Sequence, residues 1–232
     1  MVIAKAASIG AQARAKLLAW YKEWCSRQEG SLGGQKPDNN AFFPVDLSAL
    51  SQLLLPDWKV IDNEDLYHID VSTPISGKAE FSKKIIYLDK IANGPRIRWT
   101  LAHELGHVFL GHSGCRLRVD PGPRSILRPD QLEPPSEKDA KLEREANAFA
   151  VELLMPEVTV RREFRRRFGA DRLWTKSAEA QLILSTIYNR ASDAANYLVT
   201  STYPTEKRSL ADFFGVSATT MRFRLLELGL VH

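Results

Sequence analysis

The sequence predicts an α+β fold, and three observations carry that prediction. Between about residues 66 and 88 the apolar side chains alternate, which is the period of a strand. On both sides of that stretch they recur every three or four positions, the period of an amphipathic helix. Directly after the alternating section comes Arg96–His112, RIRWTLAHELGHVFLGH, in which His103, Glu104 and His107 form an H-E-x-x-H pattern. The expectation is a small, mostly antiparallel sheet packed on the H-E-x-x-H helix, followed by a mainly helical C-terminal region. The chain divides accordingly into an N-terminal helix and linker (1–40), a core (41–160) and a helical C-terminal region (161–232).

Composition sets the frame for this reading. A chain of 232 residues with 44% hydrophobic content suits one globular domain or a domain with an appendage. No apolar run approaches the ~18–20 residues of a membrane span, and the N-terminus lacks the continuous apolar stretch of a secretory signal. Cys25 and Cys115 stand apart, neither in a C-x-x-C pair. Two reduced thiols and a cytoplasmic location are expected, with no membrane partner. Net charge is +4, and the excess of basic residues lies from Glu157 onward. A basic C-terminal third suits an acidic partner, but an ordinary solvated helix face has the same look.

In chain order, residues 9–28 read as an amphipathic helix carrying Ala15, Leu17, Leu18, Trp20, Tyr21 and Trp24. Gly33–Asn40 is a loop by its Gly, Pro, Asp and Asn content. Asp46 is placed to cap a short helix that leaves at Pro56. Leu66–Val71, Ala79–Phe81 and Lys84–Leu88 read as strands, with Ser76-Gly77-Lys78 as a turn signal. Asn93-Gly94-Pro95 breaks the pattern before the histidine-bearing helix. Gly114–Pro135 is rich in proline and irregular, a long loop expected beside the site. Ser136 caps a helix with Glu137 and Asp139 in its first turn; it runs to Met155-Pro156 with an apolar stripe of Leu142, Ala146, Phe149, Ala150 and Leu153. Arg161–Phe168 reads as a short basic helix and Ser177–Thr200 as a longer one. The tail has helix–turn–helix character: Leu210–Phe214, a turn at Gly215-Val216-Ser217, then Ala218–Leu228 capped by Ser217 and stopped by Gly229.

The chemistry starts from spacing. Positions i and i+4 lie one turn apart on one helix face, so His103 and His107 can present imidazole nitrogens to one metal ion. Glu104 borders that face, placed as a general base toward a water at the metal and not as a ligand. A catalytic zinc site takes a third protein ligand. His112 follows His107 by five residues, whereas the metzincin pattern needs six with a glycine between; its register makes it a poor ligand and a better helix-end residue favoured by the macrodipole. The alternative is a glutamate on the helix after Ser136, giving a His2Glu site. Glu143 lies at the border of the apolar stripe and is preferred, while Glu145 reads as a solvated charge. Asn147, one turn beyond Glu143, is placed to orient a ligand histidine through its other ring nitrogen. Cys115 is a weak further candidate for the metal.

With RWTLAHELGHVFLGH and LEREANAFAVELLMP on the page, the chain resembles the ImmA/IrrE family of bacterial and phage metallo-endopeptidases. That family joins a T-x-A-H-E-x-x-H helix to a second helix reading like E-x-E-A-N-x-F-A-x-x-L-L-M-P. The resemblance covers residues 40–160 strongly and the tail, Phe214–Leu230, moderately. It implies a zincin-like fold, metal ligands His103, His107 and Glu143, a catalytic Glu104, and zinc as cofactor with manganese as the alternative. It also implies a protein substrate of helix–turn–helix repressor type, and so a part in transcription regulation and stress response. The helix–turn–helix-like tail is a usual part of that fold, so direct DNA contact is not expected of it. Two other readings stand beside the protease: a zincin scaffold that binds a repressor or antitoxin without cleaving it, and a DNA-binding regulator acting through residues 205–232 with Arg222 and Arg224. Tyr87 and His112 are the candidates for holding the oxyanion, and Lys84–Leu88 is a candidate strand for pairing with an extended substrate.

Overall fold

The computed structural model describes residues 2–31, 39–64, 76–89, 94–113, 136–175, 190–202 and 208–232. The architecture among them is α+β: eight α-helices, a short 3-10 helix at Asn39–Phe42 and a three-stranded sheet. The chain forms two compact units, one from residues 1–38 and 46–153, the other from 39–45 and 154–232. None of the described helices is long and apolar enough to cross a membrane.

The first unit holds α1 (Val2–Ser31), α2 (Leu47–Leu54), β1 (Lys59–Glu64), β2 (Gly77–Glu80), β3 (Ile85–Asp89), α3 (Gly94–Leu110) and nearly all of α4 (Glu137–Leu154). Helix α1 buries Ile9, Ala13, Leu17 and Trp20, one face at helical spacing. Ala15 and Leu18, expected on the apolar stripe, lie on the exposed side instead. Arg14 Nη1 donates to Glu152 Oε1 at 2.8 Å, and Lys16 Nζ sits 4.7 Å from the Phe109 ring centre. Phe109 in turn stacks on Phe149. These contacts fasten α1 to the two helices that carry the candidate site. Asp46 caps α2 as expected, accepting from Ala49 N–H at 2.9 Å.

The sheet differs from expectation in three ways. It is mixed, in the order β1-β3-β2: β1 runs parallel to β3, and β2 runs antiparallel to it. Strand β1 falls on KVIDNE, whose Asp, Asn and Glu are poor strand formers, so its two apolar residues did not announce it. Gly77 and Lys78 belong to β2, and the reversal comes at Phe81–Lys84, where Lys84 takes φ 54. The alternation at Leu66–Val71 lies outside the described residues. Because β3 is the central strand, its backbone groups are taken on both sides and Lys84–Leu88 has no edge to offer a substrate. Among the described residues the outer strand next to α3 is β2.

Antiparallel pairing decides which groups of β2 face outward. Asp89 N–H donates to Ser76 C=O at 3.0 Å, so Ser76 is in a hydrogen-bonded pair and its neighbours alternate. Lys78 and Glu80 spend their N–H and C=O groups on Tyr87 and Ile85; Gly77 and Ala79 turn theirs to the outer edge.

The second unit contains α5 (Glu157–Phe168), α6 (Ala191–Thr200), α7 (Leu210–Phe214) and α8 (Ala218–Glu227). Helix α5 starts a turn earlier than its basic stretch suggested and ends at Gly169 in the left-handed conformation. Phe43, Phe213 and Phe214 form the second unit's aromatic centre, with ring centroids 5.0–5.5 Å apart. Ser209 and Ser217 cap α7 and α8 through their hydroxyls. Of the expected long helix at Ser177–Thr200, residues 177–189 lie outside the described part. Arg224 is buried, with Nε on Met155 C=O at 3.3 Å and Nη1 on Glu227 at 3.0 Å. It is a packing residue, so it is not at hand for a phosphate backbone.

Candidate metal centre

Helix α3 starts at Gly94-Pro95, with proline in the first turn where its missing N–H costs nothing. Arg96 Nη2 ties that turn to Ser76 Oγ at 2.8 Å. One turn separates His103 from His107, and their Nε2 atoms stand 3.1 Å apart. Helix α4 begins at the Ser136 cap, whose hydroxyl accepts from Asp139 N–H at 3.1 Å. It brings Glu143 to the pair: one carboxylate oxygen is 3.3 Å from His103 Nε2, the other 3.4 Å from His107 Nε2. Glycine makes this approach feasible. A Cβ on Gly106 would lie 3.0 Å from Ala146 C=O and 3.1 Å from Ala146 Cα, so the two helices cross where one has no side chain.

His103, His107 and Glu143 therefore offer three ligand atoms within 4.8 Å of one another. Two tests support a fit to a metal ion. In a tetrahedral zinc site with bonds of about 2.0–2.1 Å, ligand atoms sit roughly 3.3 Å apart, close to the 3.1–3.4 Å seen here. The donor chemistry agrees as well. His103 Nδ1–H donates to Asn147 Oδ1 at 2.9 Å, which leaves the neutral ring's Nε2 lone pair facing the centre. Lone pairs converging at such distances repel unless a cation lies among them.

The electrostatics follow from burial and proximity. Burial drives the His103 pKa down, but its hydrogen bond to Glu143 and the charges of Glu104 and Glu143 outweigh it, and the net direction is up. For Glu143, burial pushes up, yet hydrogen bonds from His103 and His107 prevail and hold it well below the usual carboxylate range. Glu104 goes the other way. It is 6% exposed, and burial raises its pKa against the pull of His103 and His107. Its carboxylate accepts a hydrogen bond from the Ala79 backbone, the outward-facing N–H of β2. Gly77 permits that proximity: a Cβ there would come within 2.3 Å of Thr100 Cγ2 and 3.3 Å of Glu104 Cγ.

The structure thus brings His103, Glu104, His107, Glu143 and Asn147 together. It treats two other residues differently from expectation. His112 does stand at the end of α3, but it is buried, at 6% exposed, and partnered; its Nδ1 is 3.1 Å from His107 Nδ1 and its Nε2 is 3.3 Å from Glu145 Oε2. Glu145 is accordingly half-buried against His112 and is not a free surface charge. With both ring nitrogens engaged on these partners, His112 is not placed to hold an oxyanion. Tyr87 sits on the central strand β3. Cys115 and the loop 114–135 lie outside the described residues.

With this geometry in hand, the chain can be set beside known protein families. The family model Peptidase_M78, described as an IrrE N-terminal-like domain, fits residues 61–226. No curated protein matches the chain. The matched span includes both helices of the centre.

Proposed function

The chain belongs to the IrrE N-terminal-like family of metallopeptidases, and from that premise we propose that it is a zinc-dependent endopeptidase. In this reading His103, His107 and Glu143 are the metal ligands, Asn147 orients His103, and Glu104 is the catalytic base. The observation that carries it is the convergence of two imidazole Nε2 atoms and one carboxylate beside a second, buried carboxylate that is no part of the triad. When bound, zinc supplies Lewis acidity, lowering the pKa of a coordinated water toward ~7 and polarising the scissile carbonyl.

The protein's own groups do the rest. Glu104 accepts a proton from the attacking water and delivers it to the leaving amine nitrogen. Its raised pKa suits both halves of that task, since a strongly acidic carboxyl captures the proton poorly. The Ala79 N–H steadies the ionised carboxylate at the edge of β2. That edge also supports a mode of substrate binding: an extended peptide adding to the outer backbone groups of Gly77 and the outer carbonyl of Ala79 runs past Glu104. Family resemblance supports a helix–turn–helix repressor as the substrate, and hence relief of repression as the outcome.

Glu104→Gln tests the assignment. The variant is expected to lose cleavage by at least ~100-fold while binding zinc and partner as the wild type does. Retained cleavage would remove Glu104 from the mechanism. Co-expression with the repressor encoded beside it, followed by mass spectrometry of the products, tests the substrate. Stable capture with an intact repressor, by both wild type and variant, would favour the non-cleaving scaffold instead.

A further inference from the structure

The geometry points to His112 and Glu145 as a buried relay that positions His107 and fixes which of its nitrogens is free for the metal. This inference rests on the metal-site reading above and goes beyond it to residues that supply no ligand atom.

The relay begins in how α3 ends. Gly111 takes the left-handed conformation, φ 70, and two reverse hydrogen bonds close the helix: Gly111 N–H to Val108 C=O at 3.2 Å and His112 N–H to His107 C=O at 2.9 Å. That pair of bonds is a Schellman motif, with Gly111 as the first residue past the cap and His112 as the second. The motif commonly brings this second residue against the one five positions earlier, through an apolar contact. Here the contact is polar, because both residues are histidines. The turn therefore delivers His112 beneath His107, on the side of the ring away from the metal site.

The protonation pattern then follows from what each atom can do. The His107 Nε2 lone pair must face the centre if it is to bind a metal, so the His107 proton resides on Nδ1. That Nδ1–H donates to His112 Nδ1 at 3.1 Å. His112 is thus deprotonated at Nδ1 and carries its proton on Nε2, which faces Glu145 Oε2 at 3.3 Å. As a carboxylate, Glu145 only accepts, and in that state it sets the direction of the whole chain. His103 is held by a matching bond to Asn147; each ligand histidine is oriented from α4, one directly and one through His112. His112 and Glu145 touch no substrate and are positioning residues.

The test measures zinc affinity by competition with a chromogenic chelator. His112→Phe keeps the ring volume and the turn contact but removes the hydrogen bond, and is expected to weaken zinc binding by about 10–100-fold. Glu145→Leu removes the terminal acceptor and is expected to weaken it in the same direction, without touching the turn. His112→Asn retains an acceptor within reach of His107 and is expected to recover part of the loss. Nitrogen-15 spectra of the zinc-loaded wild type are expected to show His107 protonated at Nδ1 and His112 protonated at Nε2. A purely structural role for His112 predicts neither the Glu145→Leu loss nor this tautomer pair. Zinc affinity within twofold of wild type in both His112→Phe and Glu145→Leu, with His107→Ala still abolishing it, overturns the relay and leaves the metal site standing. A wild type that binds no zinc, or binds it equally in His107→Ala, overturns both.

Discussion

At the scale of single residues, the same burial that suits Glu104 to its proposed part in proton transfer makes it a cost to the folded state. A carboxyl whose folded pKa is raised binds more protons folded than unfolded, so its contribution is favourable at low pH and is lost as pH rises through the folded value. Each pKa unit of that rise is worth ~1.4 kcal/mol. Glu104→Gln removes the ionisation and keeps the shape. The metal-free variant is therefore expected to melt above metal-free wild type at pH 7–8, by ~2–4 °C for each kcal/mol recovered. The advantage is expected to shrink toward nothing below the ordinary carboxylate range of about 4. Melting curves in chelator across pH decide it; a variant less stable than wild type at pH 8 would mean that the Ala79 hydrogen bond to the ionised carboxylate outweighs its burial.

At the scale of elements, the centre is a crossing of two helices and a strand, and two glycines set the spacing. Alanine in place of Gly106 must displace the Ala146 backbone, which has no flexible end to yield. Overpacking of this kind costs about 1–3 kcal/mol, set against the ~1 kcal/mol that alanine gains as a helix former. Gly106→Ala is expected to weaken zinc binding more than it lowers stability, because moving α4 carries Glu143 off the histidines. Gly94→Ala, on the same helix with nothing within 4 Å of the added carbon, is the matched control and is expected to change neither. Equal zinc affinities in the two variants would refute the crossing argument. Much of this was legible beforehand. The i, i+4 histidines, the Ser136 cap and the stripe placing Glu143 at its border are local patterns, and helices translate local patterns directly into faces. What was not legible depended on partners far along the chain. Strand β1 exists because Ile85–Asp89 pairs with it, not because KVIDNE favours a strand. Gly77 read as a turn, although its lack of a side chain serves the approach of α3. The register of His112 bears only on whether it is a ligand, whereas the G-H that closes α3 is the signal for its place under His107.

At the scale of the whole molecule, the proposed metal site is also a protonation site, so metal and protons are expected to compete there and give stability a pH dependence with a definite sign. In metal-free protein the raised pKa of His103 contributes stability that is fully present below the unfolded value of ~6.5 and is lost as pH rises through the folded value. Zinc needs His103 Nε2 unprotonated, so the loaded protein carries no such dependence across that window. Bound metal adds RT ln(1 + [L]/Kd), or ~2.7 kcal/mol at a hundredfold excess over Kd. For a chain of this length that is a rise of roughly 5–11 °C in melting temperature. The gap between zinc-loaded and chelator-treated protein is therefore expected to widen from pH 6 to pH 8, chiefly because the metal-free form weakens. Glu143→Ala is expected to abolish the gap at every pH, since it removes the acceptor that raises the His103 pKa as well as a proposed ligand. Scanning calorimetry at several pH values, with zinc and with chelator, measures both. A gap that stays constant with pH would show that His103 does not exchange its proton for the metal, and would require a different ligand set.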